Sequence, residues 1–209
     1  MNTSVSPYRR FRQRGMGATI ILFTIALIVL VGAALAYGSR GNSKAFTGES
    51  AKVMSSLLLK QSAEHRDAYN RYIFDGGKAS LAELTVTADV GLFDPNKSYG
   101  IKQDPPLKAF DEPVPATPPI WLMSRAVNIP GVGTGTAATV AFVSGLKIEV
   151  CSQINLQLYG LASIPTESLT LTGSALSGTM SSASSGRYTG CVAFGTTPNY
   201  LFYSTLSEN

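Results

Sequence analysis

The sequence Arg9-RRFRQRG-Gly15, followed by Met16-MGATIILFTIALIVLVGAALAYGS-Ser39 and then Arg40, decides how the rest of the chain is read. Four arginines (Arg9, Arg10, Arg12 and Arg14) precede Gly15, and no charged side chain occurs from Met16 to Ser39. A helix rises about 1.5 Å per residue, so roughly 20 apolar residues cross the hydrocarbon core of a bilayer. As a helix, this run closes its backbone hydrogen bonds internally, as lipid requires. Arginines on one flank keep that end in the cytoplasm. The stretch therefore predicts a single transmembrane pass, with everything after Arg40 outside.

The remaining composition fits a folded extracytoplasmic domain. Hydrophobic residues make up 44% of the 209-residue chain and charged residues only 14%. The formal charge of +4 comes from the leader, so residues from Met16 onward are formally neutral. The sequence pI of about 9.1 thus reflects the leader and argues against a nucleic-acid partner, which needs Lys and Arg gathered on the folded domain. Two cysteines, Cys151 and Cys191, lie in the exported part. An even count in an oxidising compartment predicts a disulfide, the alternative being two buried free thiols.

Three fates of the leader fit the residues. A peptidase cuts after Gly15 on the cytoplasmic side and leaves the apolar helix on the mature protein. Alternatively, the run is a secretory h-region cut after Ala34-Leu35-Ala36, or the segment is an uncleaved anchor. The first is favoured because the apolar run starts abruptly at Met16 and a second helical segment follows it. Residues 49–74 place Val53, Met54, Leu57 and Leu58 in one apolar cluster and Ala68, Tyr69, Tyr72 and Ile73 in another, at amphipathic helical spacing. Gly76-Gly77 stops this helix, while Gly41 and Gly48 mark a point where the rod bends or melts.

The basic leader, Gly15, Met16, long apolar helix and amphipathic extension together resemble type IV pilin-like proteins. The resemblance implies cleavage by prepilin peptidase between Gly15 and Met16, and methylation of the new N-terminus at Met16. It also implies a helix that first anchors the subunit in the inner membrane and later packs against other pilin subunits. The small residues Gly17, Ala18, Gly32 and Ala33 are the positions where helices approach closely. Most family members carry glutamate at the fifth mature position, where this chain has Ile20. A cut after Gly17 would put Leu22 there. That departure points to a minor pilin or pseudopilin in a type IV pilus-like or type II secretion-like filament, at the cell surface or in the periplasm. An exported or anchored binding protein is the alternative, with the Ser/Gly/Thr-rich 173–190 loop as its contact region.

The expected fold class is α+β: a long N-terminal helix, half transmembrane and half amphipathic, packed on a small antiparallel-sheet head with a C-terminal disulfide. The expected organisation is a leader at 1–15, a transmembrane helix at 16–39, a helical extension at 40–75 and a β-rich head at 76–209. Within the head, residues 104–119 hold six of the eleven prolines and read as an extended connecting loop. Trp121 reads as a core or rim anchor. Residues 131–145 read as a Gly-rich turn entering a buried segment. Leu146, Val150, Ile154, Leu158 and Leu161 favour a helix over a strand, and 168–172 alternates as a strand. Residues 191–206 read as a hairpin around Gly195–Asn199.

The chemistry for an enzyme is missing from the pattern. The only histidine, His65, has no second His or Cys at metal spacing and reads as a solvated helix residue. No G-x-S-x-G or phosphate loop occurs, and no carboxylate pair is singled out. No cofactor is expected.

Overall fold

Alternating residues of the C-terminal hairpin face two separate cores, and this organises the molecule. In the computed structural model, described at residues 43–78, 92–93, 97, 99–111, 119–133, 137–195 and 199–208, six strands form a closed barrel. They are β1 (Leu122–Asn128), β2 (Ala138–Ser144), β3 (Thr166–Thr172), β4 (Ala175–Thr179), β5 (Thr189–Phe194) and β6 (Asn199–Ser207). Around the barrel the order is β1-β2-β6-β5-β3-β4. Two α-helices are described, α1 (Ser43–Phe74) and α2 (Ile148–Tyr159). The chain divides into two units, Met1–Phe46 and Thr47–Asn209, and the barrel belongs to the second.

Leu201 and Tyr203 of β6 join Val140 and Phe142 of β2 and Val192 and Phe194 of β5 in the barrel core. The intervening Phe202 and Leu206 join Ala141, Val143 and Cys191 in a second core, shared with α1 and α2. A period of two puts successive side chains on opposite faces, and here both faces are covered. This is why all residues from Ala138 to Val143 are buried.

Helix α1 contributes Ala51, Ser55, Leu58, Ser62, His65, Tyr69 and Tyr72 as a buried stripe. The steps alternate four and three, which keeps one seam of a helix facing its support. The stripe differs from the expected clusters. Leu58, Ala68, Tyr69 and Tyr72 are buried, but Val53, Leu57 and Ile73 are exposed. The helix stops as its glycines dictate. Gly76 has φ +82°, its N–H donates to the Ile73 carbonyl, and the Gly77 N–H reaches back to the Tyr72 carbonyl. That pairing closes the last turn and requires a left-handed residue, which glycine supplies without strain. Gly48 lies within the helix.

Helix α2 ends at Gly160, with φ +69°. It buries Val150, Cys151, Ile154 and Asn155, while Leu158 and Leu161 of the expected stripe are exposed. The disulfide Cys151–Cys191, with Cα atoms 5.3 Å apart, joins α2 to β5. Replacing both cysteines by alanine is expected to lower stability by about 2–4 kcal/mol, because the open form loses a cross-link spanning 40 residues. Urea unfolding of the oxidised protein and the double variant measures the difference.

The expected fold class is corrected here. The strands form a closed barrel, not a small antiparallel sheet carrying a long N-terminal helix. Four pairings are antiparallel, but β1–β4 and β3–β5 are parallel. The strand that closes the barrel is β4, which lies in the Ser/Gly/Thr-rich 173–190 stretch expected to be an exposed loop or a loosely twisted edge. Small polar residues gave that stretch no apolar alternation, yet Leu176 and Met180 are buried in the barrel core. Among the described residues, no helix is long and apolar enough to cross a membrane. The predicted transmembrane half, 16–39, lies outside the described residues.

Candidate functional site

The seam between α1 and the barrel concentrates polar side chains on an otherwise apolar surface. Gln61, one turn before His65, accepts a hydrogen bond from Trp121 Nε1 at 3.1 Å and donates through Nε2 to the Asp104 carbonyl at 3.0 Å. His65 is only 1% exposed. Its ring meets Trp121 edge to face at 4.8 Å and Phe93 at 5.5 Å. Nδ1 is buried with no hydrogen-bond partner. Burial alone lowers its pKa from 6.5 to about 4, because the charged form loses its hydration. The solvated position expected for His65 is therefore corrected: it occupies a seam position of the four-three stripe.

Arg66 leaves the seam in the other direction. Nε donates to the Thr205 carbonyl at 3.0 Å, and Nη2 donates to Thr189 Oγ1 at 2.9 Å and Ser204 Oγ at 3.0 Å. The guanidinium thereby ties α1 to the β5–β6 pair. Tyr69 Oη meets Ser207 Oγ at 3.2 Å. From α2, Gln157 Nε2 donates to Ser55 Oγ at 2.9 Å, so the two helices are also joined.

A second polar cluster centres on buried Glu167, on the inward face of β3 with Leu169. Its carboxylate accepts from the Ser181 N–H, from Ser181 Oγ at 3.0 Å and from Ser184 Oγ. These bonds anchor the turn between β4 and β5. Nearby, Tyr203 Oη donates to the Arg187 carbonyl at 3.2 Å, and burial raises the Tyr203 pKa. Arg187 lies over the Tyr159 ring at 4.4 Å, while Tyr159 Oη donates to the Thr189 carbonyl. Burial raises the Tyr159 pKa, and the Arg187 cation and that hydrogen bond oppose the rise.

Neither cluster assembles a nucleophile with a base. The described ring contacts of His65 are aromatic, and Glu167 is occupied by the N–H and hydroxyls of its own turn. Among the described residues, no three His, Cys, Asp or Glu side chains are grouped to hold a metal. Two grooves on the described surface are open. One, of about 450 Å³, lies beside Ser50, Met54, Lys108 and Lys147; another, of about 490 Å³, lies beside Arg71, Phe74 and Tyr99. No family model, curated protein or solved structure matches the chain.

Of the site residues expected from sequence, Cys151 and Cys191 are brought together. Gly15, Met16, Gly17, Ala18, Gly32 and Ala33 lie outside the described residues. His65 and Glu167 were missed as buried groups. The signal for His65 was its place in the four-three series from Ala51 to Tyr72. For Glu167 it was the alternation with Leu169 and Leu171.

Proposed function

We propose that this chain is a structural, non-catalytic subunit of a membrane-assembled filament of the type IV pilin-like kind, in a minor role. The observation that carries the reading is the uncharged run from Met16 to Ser39, bounded by four arginines and Gly15 on one side and Arg40 on the other. Prepilin peptidase acts between Gly15 and Met16, the new N-terminus is methylated, and the apolar helix holds the subunit in the inner membrane until it packs against other subunits. One feature of the exported part supports this: its first described element is a 32-residue helix following the apolar run by a few residues. Because the barrel is closed, subunit contacts fall to helices, loops and side chains rather than to a sheet edge.

Intact-mass measurement on protein purified from its native membrane tests the reading. A mature chain beginning at Met16 and heavier by one methyl group is expected. A chain beginning at Tyr37 would overturn it in favour of an exported binding protein. An uncut chain would overturn it in favour of a simple anchored one.

A further inference from the structure

The only histidine of this protein sits where its long described helix meets the barrel, and no function assigned above uses it. We infer that His65 is an acid-sensitive latch: its protonation releases α1 from the barrel while the barrel stays closed. The geometry carries this. His65 is at the middle of the seam stripe, between Trp121 and Phe93, with Nδ1 buried and unpaired. A proton taken up there places a charge among aromatic rings with nothing to accept from Nδ1.

The charges among the described residues do not rescue it. On α1, Glu64 pairs with Lys60 at 3.8 Å and accepts from Gln103, Arg66 is held by Thr189, Ser204 and Thr205, and Asp67 is exposed. On the 99–111 segment, Lys102 and Asp104 pair with each other at 3.8 Å, while Lys108 and Asp111 line the groove beside Met54, further toward the start of α1. Ahead of β1, Trp121 presents no charge; within β1, Arg125 is exposed and donates to Met123 Sδ. β6 contributes no charged residue, and Glu208, just past it, bonds to Tyr188. Burial is the one cause that lowers the pKa.

The sign follows from linkage. Above pH 6.5, docked and released states are both neutral, and pH has no effect. Between 6.5 and about 4, the released state binds the proton and the docked state does not, so docking weakens as pH falls. The opening equilibrium rises about 70-fold between pH 7.5 and 4.5 and levels off near 300-fold below about pH 3. No cross-link ties α1 to the barrel, and none of the strand pairings that close the barrel involves it, so the helix can leave while the barrel remains.

Amide exchange on the full chain in detergent, corrected for intrinsic pH dependence, tests the latch. Protection in residues 48–74 should fall about 70-fold from pH 7.5 to 4.5, while protection in β2 and β6 holds. In His65→Phe, both should be flat over that range. Equal falls in wild type and variant, or simultaneous loss in helix and barrel, would overturn the inference. His65→Gln serves if the phenylalanine variant does not fold. An NMR titration of His65 in the wild type decides independently. A proton bound near pH 6.5 with α1 still protected sinks the latch, and proton uptake that coincides with loss of α1 protection supports it.

Discussion

Trp121→Ala is expected to destabilise the folded unit by about 3–5 kcal/mol, the range for deleting a buried aromatic side chain. Trp121 is 3% exposed and packs edge to face on both His65 and Phe202, at 4.8 and 5.7 Å. It is thus shared between α1, which it holds through Gln61 Oε1, and the outer face of β6. Deletion removes the packing and leaves Gln61 Oε1 without that donor. Losing a buried partner in this way adds about 1–3 kcal/mol where water cannot enter. Trp121→Phe keeps much of the volume but not the N–H, so it should fall between wild type and alanine. Urea unfolding followed by circular dichroism measures both, and a loss below about 1 kcal/mol for Trp121→Ala would contradict the assignment of Trp121 to the seam.

Gly178→Val is expected to prevent the barrel from closing, with a loss of at least about 3 kcal/mol from backbone strain and overpacking together. Gly178 has φ +129°, a region that L side chains rarely adopt, and a Cβ placed there would lie 2.6 Å from the Ser168 carbonyl oxygen and 3.3 Å from Leu169 Cα. Both neighbours are backbone and cannot swing aside. The position is also where β4 is shared: Gly178 is opposite Leu169 of β3 in the antiparallel pair and opposite Val127 of β1 in the parallel one. A bulky residue there strains both pairings at once. Gly178→Ala should show the same effect at smaller size. Thermal unfolding of the two variants checks the order, and a valine variant that melts with the wild type would rule out this account of closure.

Much of the architecture was legible where local chemistry acts alone. The hairpin of β5 and β6 followed from two alternating runs around Gly195–Asn199, and Gly76-Gly77 ended α1 because only a left-handed residue completes that turn. Helix α2 followed from the four-residue spacing through Val150 and Ile154, and the Cys151–Cys191 bond from an even count of cysteines. The second polar cluster was hidden for a different reason. Glu167 looked like a surface charge because its partners, Ser181 and Ser184, are ordinary loop residues, and only the barrel brings them to it.

By itself, the sequence determined the uncharged Met16–Ser39 run with its flanking arginines, the helix after it, the strand periods and the pairing of the cysteines. These depend on spacing and on side-chain solubility, which are properties of neighbours along the chain. Tertiary structure alone decided that the strands close into a barrel, since closure pairs β4 with distant β1 while Gly178 admits the backbone of β3, and such approach leaves no periodic trace. It also decided which face of α1 is buried. A helix of mixed character takes its orientation from the surface it meets, and the barrel accepted a seam holding Ser55, Ser62 and His65 while leaving Val53 and Leu57 in solvent.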